Sequence, residues 1–496
     1  MSTEKAKRSE AHTNRSLIDG TLRIFLSEGL FLPAGLLITV VLTRKLGPHD
    51  YGIFTLATVI IVWTEGMIAS TFNGASIALL SQEDEWRSVA TALMRTCFFV
   101  SAMISALLWW FSSDIASVLG EPRLGDLLTL FVLDIPIYVL ARACRNIMTG
   151  IGQFRTRGRV SAVYWCGRLL FIVLLVQFGF GIRGAIAGTI LASLAELVFS
   201  MAYLRISVVK KSAYSAGRLW KQSGSLLFFG LVQNSRSISA LTVLKILGGT
   251  AEQVGYYGGM QNLLRLPILA FATLSSTFLA TIRRIISMGS DHLRARHLSK
   301  QALRFVVLLL PYSGLILGTL NEIISVVFGS AYLPALPIGI WLASGVVPLG
   351  LTSINTAILI AAGKSNWPLF MAAPLLPAAI VAHVYMVPIN GPLGTAQVVA
   401  LSFVVSALIS GILVFRLWSV MPPIRTCIRS ILVCGVAYYA AMSWPVAGIF
   451  VFLKLFGLGG FVLLLFGLTG EFSRREISMV WSLLPFGPPQ KESRRT

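Results

Sequence analysis

The feature that most restricts this chain is a succession of apolar runs, each roughly 18–25 residues long, separated by short turn-rich breaks. In hydrocarbon no water satisfies the backbone, so a run of that length folds as a helix whose N–H and C=O groups bond within the segment. About fourteen such runs are read, centred near residues 32, 62, 101, 137, 169, 194, 236, 269, 311, 347, 377, 406, 436 and 460. Only 12% of the residues are charged, about half the share in soluble domains. The fold class expected is an all-α polytopic membrane protein.

The net charge of +21 would suggest nucleic acid in a soluble chain, but its placement points elsewhere. With the N-terminus inside, 28 of the 41 Lys and Arg fall in inner loops and tails, 5 in outer loops and 8 within spans. That bias is the positive-inside rule. It predicts an even number of spans, both termini cytoplasmic and no nucleic-acid partner. The first sixteen residues are polar, and the apolar run after them is too long for a signal-peptide core, so no cleavable leader is expected. Cys97, Cys144, Cys166, Cys427 and Cys434 lie in predicted spans without metal-ligand spacing and read as small apolar side chains. Neither a metal nor another cofactor is expected.

Two stretches echo one another. Leu46-Gly47-Pro48-His49-Asp50-Tyr51-Gly52 and Leu247-Gly248-Gly249-Thr250-Ala251-Glu252-Gln253-Val254-Gly255-Tyr256 each break two apolar runs. Gly152 is matched by Gly363, and Gly181-Ile182-Arg183-Gly184 by Gly391-Pro392-Leu393-Gly394, in the same order. The collinear pairs predict a duplicated unit, a common design of transporters with a midplane site. The domains expected are a lobe of six spans over 1–206, a second over 207–420, two further spans over 421–470, and a cytoplasmic tail over 471–496. In that tail Phe472–Leu484 has the spacing of an interfacial amphipathic helix.

Ionisable groups at membrane depth cost about 2.5–3.5 kcal/mol each and are functional candidates by default. Glu28, Glu65, Asp134, Glu196, Arg168, Arg236 and Arg265 fall within spans. In the fourth span Asp134, Tyr138, Arg142 and Arg145 share one helix face within about 80°, a polar stripe expected to line a wet cavity. Arg236 lies roughly 18 Å into its span, and Arg265 has Gln261 one turn away. Two readings stay open for Arg23, Arg142 and Arg145, near cytoplasmic ends: ligand contact, or snorkelling to headgroups. Two also stay open for Glu28, Glu65, Asp134 and Glu196: partners of the arginines, or carriers of H⁺ or Na⁺ that couple transport to a gradient.

The exit of the first span, Leu42-Thr43-Arg44-Lys45-Leu46-Gly47-Pro48-His49-Asp50-Tyr51-Gly52, closely resembles that of the polysaccharide-biosynthesis flippases of the multidrug/oligosaccharidyl-lipid/polysaccharide (MOP) transporter superfamily. Gly255-Tyr256-Tyr257, Asn262-Leu263-Leu264-Arg265-Leu266-Pro267, Leu274-Ser275-Ser276-Thr277-Phe278-Leu279 and Phe328-Gly329-Ser330-Ala331-Tyr332 fit the same pattern, with Ala280 where proline is common in that family. The resemblance implies fourteen helices in two six-helix lobes plus two. It also implies transfer of a polyprenyl-pyrophosphate-linked oligosaccharide across a bacterial cytoplasmic membrane, with membrane lipids and other assembly proteins, such as a glycan polymerase, as partners. Arginine suits that substrate because it stays charged and grips phosphate oxygens bidentately. The residues expected to meet the pyrophosphate are Arg236, Arg265, Arg168, Arg142, Arg145, Arg23, Gln261 and Tyr138. Two other classes compete. A membrane-embedded glycan polymerase or ligase is expected to carry a large outer loop or an Asp-x-Asp site, and the sequence has neither. A multidrug exporter of the same superfamily would favour cationic ligands, which several intramembrane arginines oppose.

Overall fold

The computed structural model describes residues 29, 31–82, 86–206, 214, 217, 240–287, 292–364 and 366–472, and among them every regular element is helical. Nine described helices are long and apolar enough to cross a membrane, or eleven if each of two bent pairs makes one crossing. Two helices of 52 residues, α1 (Phe31–Gln82) and α14 (Trp367–Trp418), are too long for one crossing, which takes about 20 residues. Each is broken by a glycine in the left-handed region, Gly47 (φ 74°) and Gly391 (φ 54°), so each supplies two arms. The helices thus follow the apolar runs of the sequence. The run centred near 236 lies outside the described residues, as does nearly all of the predicted tail helix.

The chain gathers into two compact units, one formed by 1–263 with 380–396 and the other by 264–379 with 397–496. The first contains α1, α2 (Trp86–Trp110), α3 (Ser112–Val118), α4 (Pro122–Phe131), α5 (Asp134–Gly150), α6 (Phe154–Gln177), α7 (Gly181–Leu204) and α8 (Ala251–Leu263). Helices α6 and α7 pack along each other, and α1 packs on α5 and α8. Small residues permit this. A Cβ on Gly188 would stand 2.7 Å from the Ile172 backbone nitrogen, and close helix approach through glycine is the usual source of cohesion where lipid removes the hydrophobic drive between helices.

The second unit contains α9 (Arg265–Ser287), α10 (His292–Leu308), α11 (Leu310–Val327), α12 (Leu336–Ser344), α13 (Val346–Ala361), α15 (Ile424–Ser443) and α16 (Phe450–Leu468), with most of α14. Here α11 lies on α15 with Gly314 against the Cys434 carbonyl and Gly318 against that of Tyr438, each 2.7 Å from an added Cβ. Its apolar core is built on Phe271, Ile282, Leu303, Ile354, Ile358 and Val414.

The echo in the sequence is an echo of backbone conformation. Gly47 and Gly248, Gly152 and Gly363, and Gly181 and Gly391 all have positive φ. Gly120 and Gly329 add a fourth collinear pair. The two described non-glycine residues with positive φ, Arg205 and Ser419, close α7 and α14 in the same order. The paired motifs also touch. A Cβ on Gly52 would overlap the Ala251 carbonyl oxygen, and one on Gly255 would overlap that of Pro48. Asn262 Nδ2 donates to the Tyr51 hydroxyl at 2.8 Å beside that contact.

Candidate functional site

A buried ionic network occupies the first unit. It is built by α1, α5, α6 and α7, whose apolar faces pack together and leave their few polar residues facing inward. Helix α5 brings Asp134, Tyr138, Arg142 and Arg145 in a row, as the four-four-three spacing predicts. Helix α6 adds Tyr164 and Arg168, α1 adds Glu65, and α7 adds Glu196. Glu65, Asp134, Arg145 and Glu196 are each 4% exposed or less, while Arg142, Tyr138 and Arg168 are half-buried.

The charges are matched across helices. Arg145 Nε stands 2.8 Å from Glu196 Oε1. The contact is an ion pair by distance rather than an aligned hydrogen bond, because neither Glu196 oxygen accepts one among the described residues. The Arg145 guanidinium also lies over the rings of Tyr138 and Tyr164, 5.8 and 5.7 Å from their centroids. Those two rings are 5.9 Å apart. Arg168 lies over Tyr164 at 6.0 Å and donates weakly to its hydroxyl at 3.5 Å. Its charge reaches both Asp134 and Glu65, and Arg142 reaches Glu196. Three arginines therefore face three carboxylates. Cation–π contact, worth about 2 kcal/mol or more when desolvated, adds to the pairing.

The network is incompletely satisfied. Among the described residues Glu65 Oε1, Asp134 Oδ1, Arg168 Nε and Ser200 Oγ are buried without a hydrogen-bond partner. Buried polar atoms in that state are rare and costly unless a water, an ion or a second conformation uses them. Tyr164, Ser193 and Ser200 were not among the residues selected from the sequence. The signal was present, since Tyr164 precedes Arg168 by four, and Ser193, Glu196 and Ser200 make a polar stripe of spacing three and four.

The remaining candidates are placed as follows. Arg23, Glu28 and Arg236 lie outside the described residues. Gln261 is half-buried in α8, whereas Arg265 opens α9 and is exposed. The helix is interrupted at Leu264, between Gln261 and Arg265. A residue at the start of a new helix takes its direction from that helix. The second unit holds ion pairs of its own. Lys454 is buried in α16 and donates to both Glu322 oxygens at 2.7 and 2.9 Å. Glu471 accepts from Thr426 (2.6 Å), Arg304 (2.8 Å) and Arg429 (2.9 Å). Burial raises the Glu471 carboxyl, but these three donors outweigh it and hold the group below the usual carboxylate value. Among the described residues no cluster of His, Cys, Asp and Glu could hold a metal ion.

Comparison with known proteins places this arrangement. The family model described as "Polysaccharide biosynthesis protein" matches residues 41–337, more than half of the chain. No curated protein matches by sequence. Among solved structures, the lipid II flippase MurJ in an inward closed conformation superposes with a TM-score of 0.73 at 15% identity, covering 91% of this chain and 98% of that one. An inward-facing multidrug resistance MATE transporter of the MOP superfamily gives 0.62 at 13% identity, over 79% and 94% of the two chains. A MOP superfamily transporter from Pyrococcus furiosus, described as having a binding pocket of reverse polarity that suggests a different function, gives 0.55 at 14% identity, over 82% and 95%. These likenesses carry the fold, and the family match carries the lineage. The chain is a multi-pass membrane protein of the polysaccharide biosynthesis family, folded as the transporters of the MOP superfamily are.

Proposed function

We propose that the protein is a flippase that moves a polyprenyl-pyrophosphate-linked oligosaccharide across the bacterial cytoplasmic membrane, with both termini in the cytoplasm. The observation that carries the reading is the match to the polysaccharide biosynthesis family on a fold shared with a lipid II flippase. The substrate is the repeat unit of a surface glycan such as O-antigen, capsule or exopolysaccharide. The lobes, 1–206 and 207–420, work by alternating access around a site near the midplane, and no covalent chemistry is assigned to the chain.

We infer a division of labour among the arginines. In the first unit Arg142, Arg145 and Arg168 are balanced by Glu65, Asp134 and Glu196. That network suits coupling, with a carboxylate exchanging H⁺ or Na⁺ as the charges rearrange. Arg265 is exposed and is assigned, with Arg236, to the pyrophosphate. A multidrug resistance transporter shares the fold, and the Pyrococcus furiosus transporter is described as having a binding pocket whose reverse polarity suggests a different function.

The test is mass spectrometry of polyprenyl-linked sugars in a deletion strain complemented with variants. Arg265→Ala and Arg236→Ala should stop export of the glycan and accumulate its lipid-linked precursor at normal protein level. Full export in both would remove the site assignment, and no accumulation in the deletion strain would remove the function. Reporter fusions after Lys45 and after Arg183 should read as external; cytoplasmic readings would overturn the topology.

A further inference from the structure

Contacts between the two repeats gather where their first turns meet, and the proposed function leaves them without a role. Gly52 and Gly255 are counterparts in the sequence echo, 203 positions apart, and Pro48 with Ala251 and Thr55 with Gly258 share that offset. The contacts follow the same rule. A Cβ on Gly52 would overlap the carbonyl oxygen of Ala251, and one on Gly255 that of Pro48. Gly52 and Gly255 also meet each other, an added Cβ on the first standing 2.9 Å from the nitrogen of the second, and Gly258 faces Thr55. A contact in which residues meet their own counterparts is isologous, and it contains the two-fold axis relating the two surfaces.

In transporters built from same-direction repeats that axis runs along the membrane normal, and the substrate site lies between the repeats near the midplane. Contact on the axis therefore stands in the path of whatever crosses between them. It does so at the end of the spans where Gly47 and Gly248 turn, which is external in the proposed topology. Rocking of the repeats must part this contact whenever that end opens. The chemistry suits parting. Each glycine presents a Cα hydrogen to a carbonyl oxygen, a contact that is weak singly. Asn262 Nδ2 donates to the Tyr51 hydroxyl at 2.8 Å, and Lys245 Nζ of the second repeat donates to Glu121 Oε1 of the first at 3.0 Å. The side chains of that ion pair are only 6% and 16% exposed. A buried ion pair gains little over two hydrated ions, and the compact lysine ammonium hydrates strongly, so water can replace the pair as the end opens.

We infer that the interlock of Gly52 with Gly255, latched by Lys245 and Glu121, is the outer gate of the transport path and parts once in each cycle. The inference rests on the alternating-access reading of the proposed function. The chain folds with this gate closed, so a tether across it, rather than a wedge, tests its opening. An added Cβ on Gly258 lies 3.6 Å from the Thr55 Cβ, inside the range of about 3.5–4.5 Å found in disulfides.

The experiment uses the full chain in the complemented deletion strain. In Thr55→Cys/Gly258→Cys, oxidation should join the two cysteines and lower glycan export at least tenfold, and dithiothreitol should restore export in the same cells. Undiminished export once the cross-link has formed would overturn the gate and leave the flippase reading intact. A second measurement keeps every glycine. Thr55 is buried, and Thr55→Cys should react with an impermeant maleimide from outside at least fivefold faster when Lys245→Glu is added. Glu121→Lys in the same chain should return the rate to within about twofold, which a charge latch demands. A rate unmoved by Lys245→Glu would overturn the latch. Labelling that follows these charges in a protein whose deletion accumulates no lipid-linked precursor would instead remove the flippase reading and keep the gate.

Discussion

Replacing Arg145 by methionine separates a structural arginine from a substrate-binding one. At 2.8 Å from Glu196 Oε1, an effective dielectric near 20 puts the attraction at about 6 kcal/mol, an upper figure before desolvation. Removing one member of a buried pair typically costs about 3–5 kcal/mol, because the other charge is left uncompensated. Glu196 is fully buried, but the Arg142 charge also reaches it, so the lower half of that range is expected. At 1.4 kcal/mol per factor of ten, the native population should fall a few hundredfold, about 10²–10³, relative to its competitors. Glu196→Gln added to Arg145→Met should recover most of the loss, since a neutral pair of similar volume is often as stable as the ion pair. The assay is a double-mutant cycle, read by resistance to thermal and chemical unfolding in detergent and in parallel by glycan export. A coupling below about 1 kcal/mol would refute the pairing. Recovery of stability without recovery of export would mean that Arg145 also meets substrate or ion.

Three other outcomes follow from the packing. Gly52→Val should abolish accumulation of the folded protein, because its Cβ overlaps the Ala251 carbonyl oxygen; Gly457→Ala, with open space around it, should be neutral or stabilising by up to about 1 kcal/mol. Normal yield of Gly52→Val would contradict the contact between the paired motifs. Lys454→Met should cost about 2–4 kcal/mol by stranding Glu322, and Glu322→Gln in the same chain should restore most of it; unchanged unfolding of the single variant would count against the pair. The Glu471 carboxyl sits below its ordinary value of 4.5 in the folded state, so its stabilising effect is complete above that pH and is lost as pH falls through the folded value. Wild type should therefore lose stability on acidification below about pH 4.5 more steeply than Glu471→Gln, and parallel profiles would remove the clamp.

Much of the fold is legible in the order of residues because membrane insertion depends on local quantities. Hydropathy averaged over one crossing places a helix. Glycine punctuation is local too. Gly47, Gly152 and Gly181 with their counterparts stand where the backbone turns left-handed, a demand that a single residue meets or fails. Even the row Asp134, Tyr138, Arg142 and Arg145 is a property of one helix.

What those side chains meet is not local. Arg145 and Glu196 are on different helices, as are Arg304 and Glu471, and Lys454 and Glu322. Each helix can rotate about its axis without changing its own hydropathy, so periodicity leaves the facing partner open. The break at Leu264, which separates Gln261 from Arg265, is likewise not announced by hydropathy. Hydropathy and glycine spacing determined the class of fold and its duplication. Interhelical packing alone decided which charges cancel and which polar atoms stay unsatisfied, because those are set by distances between segments far apart in the chain.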